Sequence, residues 1–477
     1  MRRQTKENVR KIYLIKNTAI FAFGNISTKF IHFFLVPFYT YTLSTKQYGM
    51  IDTINSICTM LIPIIMCNIG ESIRRYLLDR DSDSNKIRAI EFFWIIIGFV
   101  VSVIMYEILL LIPNLQPYAI YISAFSFSSA LFQTTQDYLR GQERLKSYTV
   151  CSILSSLGIA VLNILFLVKL NLGIEGYFLS YIIMYLISAL VALIAGKQYQ
   201  QIVNIRWDTT LFKEMTFFSL TLVPNSIMWW VTNSSDRIMV TYMVSAAANG
   251  LYSISYKLPS LMSTFNTILM QAWQYSAIKE SGKSDREIYN NKMFRFYFAT
   301  TAIVAAILLL ILKPFMRLYV SPDYYNAWIY SPFLIVGMMY QTLGTFVGTT
   351  YYVEKDMKGN LVSATIGAIT NVVLNFCFIP IIGTNGAAIA TCISYIVILV
   401  YRVIDTHKYL NLNVVSSYTV KLSFTIVFML GAEYIPFWIS YLLLLIGCIV
   451  IFYFTREYYI TYLQTIIKKI FFHRLIK

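Results

Sequence analysis

Long apolar stretches alternate with short polar, charge-bearing connections along the whole chain. A helix that crosses a bilayer needs about 20 mostly apolar residues. By that measure the pattern predicts about fourteen spans, at roughly 17–43, 48–71, 90–112, 117–138, 148–169, 175–196, 213–236, 247–275, 293–316, 326–351, 360–380, 384–403, 415–435 and 437–457. Several exceed the minimum, which predicts tilt or protrusion beyond the lipid. The fold class read from this pattern is an all-α polytopic membrane protein.

Composition agrees. Of the 477 residues, 57% are apolar, 16% aromatic and 13% charged, with a mean hydropathy of +0.60. Soluble proteins carry about 25% charged residues, so a water-soluble core with a polar skin is excluded. Disordered, collagen-like and disulfide-stapled classes are excluded with it. The six cysteines, Cys58, Cys67, Cys151, Cys377, Cys392 and Cys448, all lie in apolar runs without CxxC or His-paired spacing. Zinc and redox chemistry are not expected. No cleavable signal peptide is expected either, because MRRQTKENVRK runs directly into a span-length stretch.

The net charge of +16 changes the picture only through its distribution. A nucleic-acid binder gathers its cations on one face or tail, whereas here they recur in clusters between apolar stretches. Of 39 Lys and Arg, 31 fall in the connections that share a side with both termini. Five lie on the opposite side (Lys46, Lys169, Arg237, Lys313, Arg317), and Lys29, Lys257 and Lys421 fall within or at the edge of spans. Positive charge stays cytoplasmic, so both termini are expected inside, with an even number of spans. The external connections are short, the longest being about 10 to 15 residues, which leaves no room for an extramembrane catalytic domain.

The chain also resembles itself at an offset of about 200 to 212 residues. Tyr48-Gly49-Met50-Ile51 is echoed by Asn249-Gly250-Leu251-Tyr252. Val161-Leu162-Asn163 with Gly173-Ile174-Glu175-Gly176 is echoed, after a two-residue gap, by Val373-Leu374-Asn375 with Gly383-Thr384-Asn385-Gly386. Six spans per repeat is an even number, so both halves enter the membrane in the same direction. Two parallel lobes with a substrate path at their interface is a transporter arrangement. The expected organisation is a lobe over 1–200, a second over 201–408, and two additional helices with a basic tail over 409–477.

Several stretches then carry a family resemblance. Phe218-Ser219-Leu220-Thr221-Leu222-Val223-Pro224-Asn225, Trp229-Trp230, Asn233 and Ser235-Asp236-Arg237 resemble the opening of the second lobe in bacterial lipid-linked oligosaccharide flippases. Gly250 to Lys257, Gln271-Ala272-Trp273, Leu139-Arg140-Gly141-Gln142 with Tyr148, and Asn371, Asn375, Pro380, Gly383, Gly386-Ala387-Ala388 and Ala390-Thr391 continue the pattern. The chain is similar to the Wzx-type polysaccharide flippases, within the superfamily that includes the multidrug extrusion (MATE) antiporters. That resemblance implies two six-helix bundles in a V around a central cavity, with two further helices behind. It implies movement of undecaprenyl-pyrophosphate-linked sugar repeat units from the inner to the outer leaflet by alternating access, for O-antigen, capsule or exopolysaccharide synthesis in the bacterial cytoplasmic membrane. Its partners would be the lipid-linked glycan, membrane lipid, and a polysaccharide polymerase and chain-length regulator. No cofactor is implied, and whether the coupling ion is H⁺, Na⁺ or none is left open.

An anionic pyrophosphate needs a polar path, because hydrocarbon cannot solvate it. Ionisable groups at membrane depth are costly and mark such paths. Asn25, Lys29 and His32 share one helix face in the first span, and Lys257 lies on a polar stripe with Ser253, Ser260, Thr264, Thr267 and Gln271 in the eighth. Each lysine either lines the cavity or plays a structural part. Snorkelling from mid-span is difficult, which favours the cavity for Lys29. His32 is a candidate proton-coupling group, or simply a polar packing residue. Asp236 and Arg237, read as ending the seventh span on the outer side, suggest an ion pair supporting an outer gate, with Asn225, Trp229 and Asn233 on the face leading to them. Arg74 and Arg75, beside Glu71, either receive pyrophosphate at the inner leaflet or act as a positive-inside anchor. Asp52 and Glu107 are further ion-coupling candidates near span ends.

Two other functions compete. A cation-coupled multidrug exporter of the same fold would be expected to use buried carboxylates, whereas the deepest charges here are Lys29 and Lys257. A membrane polymerase or ligase would need an external acceptor domain and a catalytic constellation, and the sequence shows neither. An enzyme is therefore not expected.

Overall fold

The computed structural model describes Gly24 and residues 27–79, 83–197, 199, 206–436 and 438–456, and among these residues the structure is helical with no strand. The helices are α1 (27–42), α2 (Thr45–Ile65), α3 (Ile69–Leu77), α4 (Ser84–Leu110), α5 (Ala119–Gly141), α6 (Leu145–Asn163), α7 (Gly173–Ala195) and α8 (Thr209–Met243). They continue with α9 (Ala246–Ser255), α10 (Lys257–Glu280), α11 (Arg286–Tyr319), α12 (Ser331–Val353), α13 (Met357–Ile382), α14 (Thr384–Thr406), α15 (Ser417–Ala432) and α16 (Trp438–Arg456). A π-helical turn over Ile164–Lys169 extends α6.

Eight described helices are long and apolar enough to cross a membrane: α2, α4, α6 with its π turn, α7, α11, α13, α14 and α16. The others are shorter or more polar. On α5, for example, Ser123, Ser126, Ser128, Ser129, Thr134, Thr135 and Gln136 are all buried. At 34 residues, α11 is about 51 Å long, well beyond a hydrocarbon layer of about 30 Å.

The structure departs from the sequence reading at three spans. The second is not one helix: Cys67 and Asn68 adopt positive φ (47° and 53°) and separate α2 from α3. The eighth is divided at Tyr256, between α9 and α10. Pro259 supplies the reason, since it has no N–H for the Ser255 carbonyl one turn earlier. The Ser331 hydroxyl donates to that carbonyl instead, at 3.0 Å. The seventh helix, α8, runs on to Met243, seven residues past the expected end. Asp236 therefore lies about 10 Å inside its helix end, because its charge is satisfied by neighbouring helices and need not reach water.

The chain divides into two compact units, one ending at Trp230 and the other beginning at Val231, so the division falls within α8. Each unit contains its own copy of the repeated features. Ser44 caps α2 by accepting from the Gln47 N–H (3.3 Å), and Ser245 caps α9 by accepting from the Ala248 N–H (3.1 Å). Gly173 and Gly383 open α7 and α14 with φ of 54° and 61°, where a side chain is disfavoured. One turn on, a Cβ at Gly176 would meet the Phe166 Cβ at 3.0 Å, and one at Gly386 would meet the Phe378 backbone at 2.5 Å. These are the same helix contacts made in both halves.

In the first unit, Ile65, Met66, Ile69, Ile73, Ile90 and Trp94 form an apolar core around the α2–α3 break. The start of α8 joins it: Lys86 meets Asp208 at 2.8 Å and the Ser72 hydroxyl donates to the Met215 carbonyl (3.0 Å); farther along α8, Trp230 Nε1 donates to the Ser56 carbonyl (2.8 Å).

Candidate functional site

The second unit holds a polar network in the interior of its helices. Asp236 on α8 is fully buried. The phenol hydroxyls of Tyr252 and Tyr256 donate to its Oδ2 at 2.6 and 2.8 Å, and Thr391 Oγ1 donates to the same oxygen at 3.1 Å. The Arg237 backbone N–H donates to Oδ1 at 2.9 Å. From Thr391 the network passes to Asn371 Nδ2 (3.2 Å), and Asn371 Oδ1 accepts from Asn375 Nδ2 (2.9 Å) and the Ser235 hydroxyl (3.2 Å). A second arm centres on Asn233 Oδ1, which accepts from the Tyr395 hydroxyl (2.6 Å) and Gln341 Nε2 (3.2 Å).

Local sequence explains the convergence. Asn233 and Asp236 stand at i and i+3 on α8, Tyr252 on α9 and Tyr256 just past its end at i and i+4, and Asn371 and Asn375 at i and i+4 on α13. Each spacing sets its pair on one helix face. The close approach at Gly386 draws α14 onto α13 and brings Thr391 into the cluster.

Buried charge is tolerated only when paired or richly hydrogen-bonded. Three hydroxyl donors and a backbone N–H meet that condition here. The Arg237 guanidinium lies over the Tyr256 ring, 5.0 Å from its centroid. The cluster offers carboxylate, hydroxyl and amide oxygens, and the Asn375 Oδ1 is buried with no hydrogen-bond donor. Such an oxygen set suits a hard monovalent cation or a proton, not a soft metal. Among the described residues no cluster of three or more His, Cys, Asp or Glu could hold a metal ion.

The remaining predicted residues fall in several places. Lys257 opens α10 directly after Tyr256 and is half-buried. Lys29 is exposed on α1, so Lys29 and Lys257 are not the deepest charges as expected. Asp236, Arg88 and Glu91 are fully buried instead, because Asp236 is held by its hydrogen-bond donors and Arg88 pairs with Glu91. His32, one turn on from Lys29, stacks against Tyr181 with ring centroids 6.2 Å apart. Asn25 lies outside the described residues. Asn225 follows Pro224 in α8, with its Oδ1 buried and without a donor. Asp52 is buried on α2, and Glu107 is exposed near the end of α4.

Arg74 pairs with Glu71 and, at 3.3 Å, with Asp137, which Arg140 also meets at 3.2 Å. The two carboxylates, Glu71 and Asp137, line a cavity of about 70 Å³ at the α2–α3 break together with Asn68, Gly70, Gln133 and Thr134. Arg75 is exposed and pairs with Asp79 at 2.5 Å. Both arginines thus have carboxylate partners.

Sequence reasoning singled out Asp236 and missed Tyr252, Tyr256, Asn371, Asn375 and Thr391 as its surroundings. The signal was present in paired polar residues at helical spacing inside apolar spans, which is where function concentrates in a membrane.

Two helical units with internally repeated helix contacts, several of whose helices are long and apolar enough to cross a membrane, define a polytopic membrane fold. The solved structure of the lipid II flippase MurJ in an inward closed conformation is similar, with a TM-score of 0.66 and 16% identity over 94% of this chain and 100% of that one. An inward-facing multidrug resistance MATE family transporter of the MOP superfamily has a TM-score of 0.59 at 12% identity, covering 81% of this chain and 93% of that chain. A point mutant of the Vibrio cholerae MATE transporter VcmN has a TM-score of 0.56 at 12% identity over 83% of this chain and 95% of that one. By sequence, no curated protein matches the chain. Residues 14–274 match the family described as polysaccharide biosynthesis protein, and the chain belongs to that family. It is a multi-pass membrane protein that shares its fold with these transporters.

Proposed function

We propose that this protein is a flippase that moves undecaprenyl-pyrophosphate-linked oligosaccharide from the cytoplasmic to the outer leaflet of the bacterial inner membrane by alternating access. Both termini are cytoplasmic in this reading, following the distribution of Lys and Arg. Lys257 in the second unit and Lys29 in the first supply positive charge for the anionic headgroup, and the lipid tail stays in the bilayer. The flipped product passes to a polymerase and its chain-length regulator. A coupling ion, H⁺ or Na⁺, engages Asp236 and drives the cycle.

The observation that carries this reading is Lys257, held at an interrupted point of the eighth span, one residue from a tyrosine that donates to the buried Asp236. Lys257 and the buried Asp236 lie in one unit, which supports reading them as a cation for the substrate and a carboxylate for the ion. Membership of the polysaccharide biosynthesis family supports the glycan as cargo. The test is complementation of a flippase-deficient strain, with protein abundance measured in parallel. Asp236→Asn is expected to abolish glycan export while the protein still inserts. Full export by that variant would remove the coupling role. Drug export without glycan export would favour the multidrug reading instead.

A further inference from the structure

Building on the ion-coupling reading, we propose that Tyr256 is a positioning residue that transmits occupancy of Asp236 by a monovalent cation to Lys257, through a proline hinge in the eighth span.

Three observations meet at this point. Pro259 removes the hydrogen bond that would hold the Ser255 carbonyl in the helix, and α9 stops at Ser255. The chain is instead pinned from outside: the Ser331 hydroxyl donates to the Ser255 carbonyl at 3.0 Å, and the Tyr256 hydroxyl donates to Asp236 Oδ2 at 2.8 Å. The very next residue is Lys257, whose carbonyl accepts from the Ser260 hydroxyl at 2.7 Å as α10 resumes. The backbone at Lys257 is therefore held by these two side-chain contacts together with the Ser260 N–H, which donates to the Tyr256 carbonyl at 2.9 Å, and not by an unbroken ladder.

One of those contacts is sensitive to the ion. Asp236 Oδ2 already accepts from three hydroxyls, Tyr252, Tyr256 and Thr391. A carboxylate oxygen has about two lone pairs, so a cation approaching Oδ2 must displace or turn at least one donor. Tyr252 lies within regular α9, whereas Tyr256 stands at its open end. The Tyr256 hydroxyl is the donor that can yield with least disturbance to helix hydrogen bonds. When it turns, the hinge loses one of its side-chain pins, and the backbone carrying Lys257 shifts.

The test uses the full-length protein in detergent, with a fluorine probe on Lys257→Cys after replacement of the six native cysteines. Sodium is compared with choline at fixed pH, with thermal stability read alongside. Sodium is expected to raise the melting temperature and to shift the probe resonance in the parent. Tyr256→Phe, which keeps the ring under Arg237, should retain the thermal shift and lose the resonance shift. Tyr252→Phe should retain both, and Asp236→Asn should lose both. As a second route, Ser331→Ala should broaden the probe resonance even in choline.

A parent that is stabilised by sodium without a resonance shift overturns the hinge and leaves ion coupling standing. So does Tyr256→Phe with an unchanged resonance shift. A parent with no thermal response to sodium overturns sodium binding at Asp236 and this inference together.

Discussion

Replacing Gly386 with alanine tests whether the contact between α13 and α14 positions the buried network. The new Cβ would lie 2.5 Å from the Phe378 carbonyl carbon, 2.6 Å from its oxygen and 2.8 Å from the Ile379 nitrogen. All three are backbone atoms, so no side chain can swing aside. Comfortable carbon contacts begin near about 3.5 Å, so the helices must part by about 1 Å. Overpacking of this kind costs about 1 to 3 kcal/mol, and a rigid backbone wall places Gly386 at the upper end. Alanine returns about 1 kcal/mol over glycine in helix propensity, leaving a net loss of about 2 kcal/mol.

Gly176 in the first unit is the control. Its closest would-be contacts are the Leu172 and Phe166 Cβ atoms at 3.0 Å, with the Phe166 carbonyl oxygen at 3.3 Å. A smaller shift suffices, and the propensity gain of about 1 kcal/mol offsets a cost of similar size. Apparent melting temperatures of the two variants in one detergent decide the matter. Gly386→Ala should melt well below the parent and Gly176→Ala close to it. Gly386→Ala should also weaken any sodium response, because Thr391 on the displaced helix sits 3.1 Å from Asp236. Equal melting temperatures for the two variants would refute the reasoning.

Three further outcomes are expected. The Lys29→Ala, Lys257→Ala double variant should lose glycan export at near-normal abundance, with Arg retaining more function than Ala at both sites; normal export would remove the cationic role. At the α8 N-terminus, the Lys86 ammonium and the N–H groups of Leu211 and Thr210 hold the Asp208 carboxyl below its ordinary range. A depressed carboxyl stabilises the fold above its unfolded value and loses that contribution as pH falls through its folded value, so the melting temperature of Asp208→Asn should fall less on acidification than that of the parent. A cysteine at position 477, which lies outside the described residues, should be labelled only after the membrane is permeabilised; labelling in intact cells would refute the cytoplasmic termini.

The sequence by itself determined the helical class, the approximate positions of the helices and the internal repeat. Those properties follow from local hydropathy and from caps and turn glycines such as Ser44, Ser245, Gly173 and Gly383, whose physics acts over a few neighbouring residues. It also named Asp236, but as half of a pair with Arg237 at the outer end of a span, because hydropathy does not show that the helix runs on to Met243. Only the tertiary structure decided what satisfies that charge. Tyr252, Tyr256 and Thr391 lie 16, 20 and 155 residues from Asp236 along the chain, and hydropathy counts such residues as tolerable span members whatever they face. The interruption of the eighth span is divided in the same way. Hydropathy read 247–275 as one span, although Pro259 withholds a hydrogen bond there, and only packing against α12 showed that Ser331 takes the freed carbonyl beside Lys257. A broken backbone bond is a local property, and its replacement depends on which helix lies alongside.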